Sequence, residues 1–204
     1  TNTYARTRFD ELPDGTLVIS SCQTAGRGRR GRVWLSPRGV NIYASLVVKS
    51  LDNAFLAGAM AGLAVLDTVQ YFCPGAKSFL KWPNDVYVED RKISGILCES
   101  AGFSEGKITG IVAGMGLNVN LSSEQLSAID QPATSLRAVA GEEFDVKKVA
   151  DRLEKSLNRY YITGLQSEAV LYSVWKKANR LIGQRIELIG SRGERYNGIF
   201  VDIA

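Results

Sequence analysis

The sequence predicts an α+β fold: a mixed, largely antiparallel sheet packed with helices, followed by the beginning of a small C-terminal β barrel. Three observations predict it. Short runs rich in Val, Ile and Leu recur between positions 16 and 121. One long Ala- and Gly-rich helical segment interrupts them at 53–72, and two more helical segments follow. The last twenty residues then return to β-like sequence around a glycine-flanked turn.

Taken in order, 16–22 and 40–49 read as strands. Segment 53–72 reads as a helix with Asp52 as N-cap and Pro74-Gly75 closing it. It contains the longest apolar run, the thirteen residues 54–66, well short of the roughly 20 that a membrane span needs. Its small residues suit close packing on a sheet. Strands follow at 79–82, 86–89 and 92–99, the last two joined by an Asp90-Arg91 turn. Segments 107–113 and 117–121 read as two strands around a Gly114-Met115-Gly116 step. Segment 146–161 is a helix capped by Asp145, with Val146, Val149, Ala150, Leu153, Leu157 and Tyr160 as its apolar stripe. A third helix covers 168–179, and strands 184–189 and 196–203 flank the Gly190-Ser191-Arg192-Gly193 turn. Such a hairpin is marginal alone, so it must pack on the main body or begin a barrel.

A chain of 204 residues, 45% of them hydrophobic, buries a real core without covalent staples. Cys22, Cys73 and Cys98 are odd in number, lie far apart and form no CxxC, which fits reduced thiols and a cytoplasmic location. There is no histidine, which excludes Ser–His–Asp and Cys–His catalysis and His-ligated metals within this chain. The net charge of +4 is unevenly placed. Residues 15–51 hold no Asp or Glu but carry Arg27, Arg29, Arg30, Arg32, Arg38 and Lys49. A local positive field in a balanced protein points to one anionic ligand.

Three motifs carry candidate chemistry. The first, 23–32 (QTAGRGRRGR), follows a predicted strand; Gly26, Gly28 and Gly31 free backbone amides, and four arginines supply planar donors for carboxylate or phosphate. A solvated basic turn and a nucleic-acid patch are the competing readings, and Trp34 is the only aromatic nearby. The second is 81–85 (KWPND) followed by 91–97 (RKISGIL). Asn84-Asp85 after a proline also makes an ordinary turn. Lys92 opens an apolar strand, where it either snorkels to solvent or points into a pocket as a fixed charge. The third is 114–118 (GMGLN), whose glycines inside a β run mark close approach of a ligand or backbone.

Together the runs QTAGRGRRGRVW, KWPND, RKISGIL and GMGLNVN resemble the biotin protein ligase family, from Thr1-Asn2 to the C-terminal hairpin. The resemblance implies a biotin/lipoate ligase-like catalytic domain over 1–180 and the start of an SH3-like barrel over 181–204, cut short at Ala204. It implies a two-step reaction. Biotin and ATP, with Mg²⁺, form biotinyl-5′-AMP, and the biotinyl group then passes to a lysine of a biotin carboxyl carrier domain. Lys92, Arg29 and Asp85 would be catalytic. Thr1, Asn2, Gln23, Gly26, Arg27, Gly28, Arg29, Lys92, Gly95, Gly114 and Gly116 would hold biotin, with room for the ligand left by Gly95, Gly114 and Gly116. Arg29, Arg32, Trp34, Asn84, Asp85, Lys92 and Asn118 would hold the adenylate.

The family carries a Ser or Thr just before the Thr-Asn pair, a position ahead of Thr1. No winged-helix DNA-binding segment lies within these 204 residues. The resemblance further implies no membrane association and allows a homodimer. The rivals are a lipoate or octanoate attachment enzyme of the same fold and a non-catalytic nucleic-acid-binding module that uses the arginine loop.

Overall fold

The computed structural model describes residues 1–49, 53–105, 107–190 and 193–203. The chain opens with a short helix, α1 (Asn2–Thr7), then an edge strand, β1 (Leu17–Ser20). A 3₁₀ turn at Arg29–Gly31 leads to β2 (Ile42–Val48) and the long α2 (Ala54–Phe72). Next come β3 (Ser78–Lys81), β4 (Asp85–Val88), β5 (Arg91–Ser104) and β6 (Lys107–Leu117). The helices α3 (Ser123–Ser127), α4 (Leu136–Ala140), α5 (Val146–Gln166) and α6 (Glu168–Ala178) follow, and β7 (Arg185–Ile189) and β8 (Arg195–Ile199) close the chain.

Strands β1 to β6 form one sheet in the order β1-β2-β6-β5-β4-β3, with every neighbouring pair antiparallel. α2 lies along one face. Its small residues bring it close: a Cβ on Gly58 would sit 3.4 Å from the Cys98 sulfur and one on Gly62 3.4 Å from Leu80. α2 is long and apolar enough to cross a membrane by length and composition, but 67% of that window is buried inside the protein, as in a core helix. α5 packs behind it through Val149, Leu153 and Leu157, the centre of the predicted stripe. Asp67 of α2 fastens the two helices: Arg152, Arg159 and Ser156 each lie 2.6 Å from its carboxylate. α1 and Phe9 cover part of the opposite face, against Val47 and Val112.

Several sequence-level boundaries shift. Asn53 rather than Asp52 caps α2, because its side-chain oxygen accepts from the amides of Phe55 and Leu56. Asp52 itself, with Ser191, Arg192 and Ala204, lies outside the described residues. The β4–β5 turn is Glu89-Asp90, one residue earlier than Asp90-Arg91, since Val88 pairs with Arg91. The expected strands 107–113 and 117–121 are one continuous strand ending at Leu117, because Gly114 and Gly116 keep full register with both neighbours. α1 is not marked in the sequence: it spans six residues, and Thr1 makes no side-chain cap hydrogen bond. The terminal β7–β8 hairpin rests on the body through Phe200, whose ring lies 5.6 Å from that of Trp82, and through an Asp202–Lys176 ion pair of 2.6 Å.

Candidate active site

The face of the sheet opposite α2 is built by omitting side chains. On β6, Ala113, Met115 and Leu117 point into the helix-side core, so alternation puts Val112, Gly114 and Gly116 on the other face. A Cβ on Gly114 would collide with the Asn2 amide, and one on Gly116 with the Trp34 indole. One on Gly95 would stand 3.2 Å from both Trp34 and Lys92. The space freed by these three glycines is therefore filled by the protein's own Asn2, Trp34 and Lys92, not left open for a ligand. Above this second layer lies a cavity of about 800 Å³, within the range of small-molecule sites.

Asn2 is buried at one wall. Its Nδ2 donates to the Leu97 carbonyl at 3.0 Å and to Glu99 Oε2 at 2.8 Å, while its Oδ1 accepts from Ser45 Oγ at 2.6 Å. These bonds fix which amide atom faces which way. Gln23 is held by Ser36 at 3.3 Å.

The arginine loop crosses the cavity mouth as a strap with an anchor on each side. Arg27 donates to both oxygens of Glu99 at 3.3 Å and to Thr3 at 3.4 Å, and Arg29 donates to Asn84 Oδ1 at 3.0 Å. Asn84 is itself tied to β5 through the Ile96 carbonyl at 2.8 Å. The loop turns tightly at Arg30 (φ 56°) and Gly31 (φ 74°), and the Gly28 amide reaches the Arg32 carbonyl at 2.6 Å. The acid missing from the loop's own sequence is supplied by Glu99, seventy-two positions away.

Lys92 is 9% exposed, which excludes the snorkelling reading. Its Nζ lies 2.7 Å from Asp85 Oδ1 and 5.5 Å from the Trp34 ring centroid. A β-bulge aims it. Ser94 pairs with Val86 but Lys92 with Tyr87, which leaves Ile93 without a partner on β4. In an unbroken alternation Lys92 would share the core face with Ser94 and Ile96; the extra residue turns it to the face of Asp85 and Gly95. The segment 132–134 braces it, through Lys92 N to the Pro132 carbonyl and Thr134 N to the Lys92 carbonyl. Asn118, buried beside it, donates from Nδ2 to the Thr134 carbonyl at 3.0 Å.

All the candidate residues from the sequence line this cavity except Gly26. Gly26 is buried beneath the strap, where a Cβ would strike the Trp34 carbonyl and Ser36, so it shapes the loop from outside. Sequence reasoning missed Glu99 and the wall at Ala128–Gln131 and Ala133. Glu99 looks like a solvent-facing strand residue, and the wall is an irregular segment with no apolar period. The burial of Cys98 pushes its thiol up to about 12, so it is no nucleophile near neutrality. Among the described residues no group of three or more acidic, Cys or His side chains could hold a metal ion.

Comparison with known proteins finds relatives of the same fold. A model of the biotin/lipoate A/B protein ligase family matches residues 1–118. The chain is 34% identical over 194 residues to the bifunctional ligase/repressor BirA of Escherichia coli (strain K12). That match covers 93% of this chain but only 59% of the relative's length. The biotin–acetyl-CoA-carboxylase ligase of Mycobacterium tuberculosis is 35% identical, with 93% of this chain and 70% of that protein covered. Among solved structures, the biotin protein ligase from Aquifex aeolicus in complex with biotin and ATP superposes with a TM-score of 0.77 at 27% identity, covering 95% of this chain and 81% of that one.

Proposed function

Because this chain belongs to the biotin/lipoate A/B protein ligase family, we propose that it activates biotin with ATP and transfers it to a lysine of a biotin carboxyl carrier domain. The observation that carries this reading is one cavity that gathers Lys92, Arg27 and Arg29 with the Asn2 amide and the Trp34 indole over a floor of glycines. It offers fixed cations for two anions and a polar-edged apolar bed for a small bicyclic acid.

In the first step a biotin carboxylate oxygen attacks the α-phosphorus of ATP. A carbon-bound oxygen-to-phosphorus bond forms, the bond to the bridging oxygen breaks, and pyrophosphate leaves. Two anions must meet and negative charge grows at phosphorus. Lys92, buried and held by Asp85, is a preorganised positive charge for that transition state. Arg29 and Arg32 extend the field toward the nucleotide, which Trp34, Asn84 and Asn118 border. Asn2, Gln23 and Gly28 orient biotin, and Arg27 holds the strap down over it, so that water is kept from the mixed anhydride. In the second step the carrier lysine's free amine attacks the anhydride carbonyl, AMP leaves with the former bond electrons, and the amine loses its proton. No nucleophile of this chain is consumed.

Mg²⁺ fits as the companion of the ATP phosphates rather than as a resident ion. The cavity offers only two carboxylates, Asp85, already paired with Lys92, and Asp130, and Mg²⁺ commonly needs one or two carboxylates plus phosphate oxygens and water. It would supply charge neutralisation on those phosphates. We assign catalysis to 1–180 and treat 181–204, which holds the β7–β8 hairpin, as a separate small β unit.

The test is biotin-dependent exchange of pyrophosphate into ATP, with avidin detection of a labelled carrier domain. Both signals require biotin and ATP together. Exchange driven by octanoate and not biotin would instead identify the lipoate-type rival. Polynucleotide binding at moderate salt without exchange would identify the nucleic-acid rival.

A further inference from the structure

Glu99 stands outside the cavity lining yet binds two of its residues, Asn2 and Arg27, at once. Its carboxylate accepts from Asn2 Nδ2 at 2.8 Å, from Arg6 at 3.0 Å and from Arg27 at 3.3 Å on both oxygens. These donors come from three places: the start of α1, its last turn, and the arginine strap. The Glu99 side chain is 17% exposed, whereas those of Arg6 and Arg27 are 41% and 50% exposed. The acid is thus the fixed partner and the arginines come to it. Two of the donors are permanent neighbours, since α1 packs on the same sheet. The third sits on a loop whose other side-chain bonds across the mouth are Arg27 to Thr3 at 3.4 Å and Arg29 to Asn84 at 3.0 Å.

We infer that Glu99 is the positioning residue for strap closure: its charge latches Arg27 over the cavity, and the same carboxylate fixes the Asn2 amide, so that closure and the orientation of the wall beneath are coupled. Glu99 touches no reacting atom and works through Arg27 and Asn2. Releasing Arg27 leaves a carboxylate still satisfied by Arg6 and Asn2, so the strap can open without stranding a buried charge. The inference rests on the proposed ligase reading for its kinetic form only.

Glu99→Gln separates the two tasks, because a carboxamide oxygen still accepts from Asn2 while the charge that holds Arg27 is gone. In the full chain, trypsin cleavage within 27–32 should quicken about fivefold, the upper scale of losing a partly exposed ion pair, while the thermal midpoint falls by only about 2–4 °C, as for about 1 kcal/mol in a domain of this size. In pyrophosphate exchange the KM for biotin should rise about five- to tenfold with kcat within about twofold, the pattern of lost ground-state closure. Combining Glu99→Gln with Arg27→Ala should add nothing to Arg27→Ala alone. An unchanged cleavage rate, or additive effects in the double variant, overturns the latch. If wild type shows no biotin-dependent exchange, the ligase reading fails, and the proteolysis arm still decides the latch.

Discussion

The two faces of the central sheet are made by the same strands and do opposite work. Toward α2, residues 113, 115 and 117 of β6 are Ala, Met and Leu and join one continuous apolar core. Toward the cavity, residues 114 and 116 are glycines, and the space is taken by side chains arriving from elsewhere: Asn2 from α1 and Trp34 from the end of the strap. On one face the strand's own side chains pack, which yields stability at every position. On the other they withdraw, so that groups with polar edges can be laid over the sheet at fixed places. A period-two pattern therefore records a division of labour, not only an inside and an outside.

Breaking the cavity side at its charge should give the largest effect. Lys92→Ala removes the cation that faces Asp85, and pyrophosphate release should slow by about 10²–10³, as for other preorganised electrostatic donors. Transfer from supplied biotinyl-AMP should be comparatively preserved, and a near-normal first step would take Lys92 off the catalytic list. Lys92→Arg should recover only part of the loss, because a planar guanidinium sets its charge elsewhere.

Adjacent positions on β6 sharpen the contrast. Met115→Ala, facing α2, should cost about 2–4 kcal/mol of stability through the cavity it leaves, with little change in biotin KM. Gly114→Ala, one residue away, should disturb the Asn2 amide and raise biotin KM with a smaller loss of stability. Chemical denaturation and exchange kinetics on the same two variants read both outcomes. Equal profiles would erase the distinction between faces.

A helix-side polar group provides the control. Burial pushes the Asp67 carboxyl up, but hydrogen bonds from Ser156 and Arg159 and the charges of Arg159 and Arg152 outweigh it, so the group is held below the usual value. A depressed carboxyl contributes stability that is complete above the unfolded value of about 3.9 and is lost as pH falls through the lower folded value. Asp67→Asn should thus cost about 1–3 kcal/mol near neutrality, with the gap from wild type closing in strong acid and no change in exchange kinetics. Arg29→Gly gives the smallest shift in free energy, on the cavity side. Losing one strap anchor should loosen retention of the adenylate about tenfold, the lower end for one charged hydrogen bond, and let biotin appear on bystander lysines. Labelling that stays confined to the carrier removes the clamp role.

Most of the site was legible because unusual residues stood where ordinary strands would not put them. A lysine opened an apolar strand, two glycines sat inside a β run, and four arginines had no acid in their own neighbourhood. The glycines also misled: Gly114 and Gly116 read as a break between strands, although a glycine costs a strand little when both neighbours keep its hydrogen bonds. Glu99 stayed hidden because alternation makes it look solvent-facing, and only folding carries Arg27 to it. α1 stayed hidden because six residues offer less than two turns of periodicity. The helices α2 and α5 were the plainest, since 19 and 21 residues give several turns.

The bulge at Ile93 makes the address of Lys92 a matter of counting. Removing Ile93 would set Lys92 next to Ser94 in ordinary alternation and so leave it on the cavity face, whereas a residue inserted into β4 between Val86 and Tyr87 would give Ile93 a partner, complete the alternation and turn Lys92 into the apolar core. Which of the two strands gains or loses a residue should therefore matter more than which residue it is. An insertion between 86 and 87 on β4 should accordingly lose activity out of proportion to substitutions at those sites, deletion of Ile93 should lose far less, and a second insertion beside Ile93 on β5 is the change that restores the bulge.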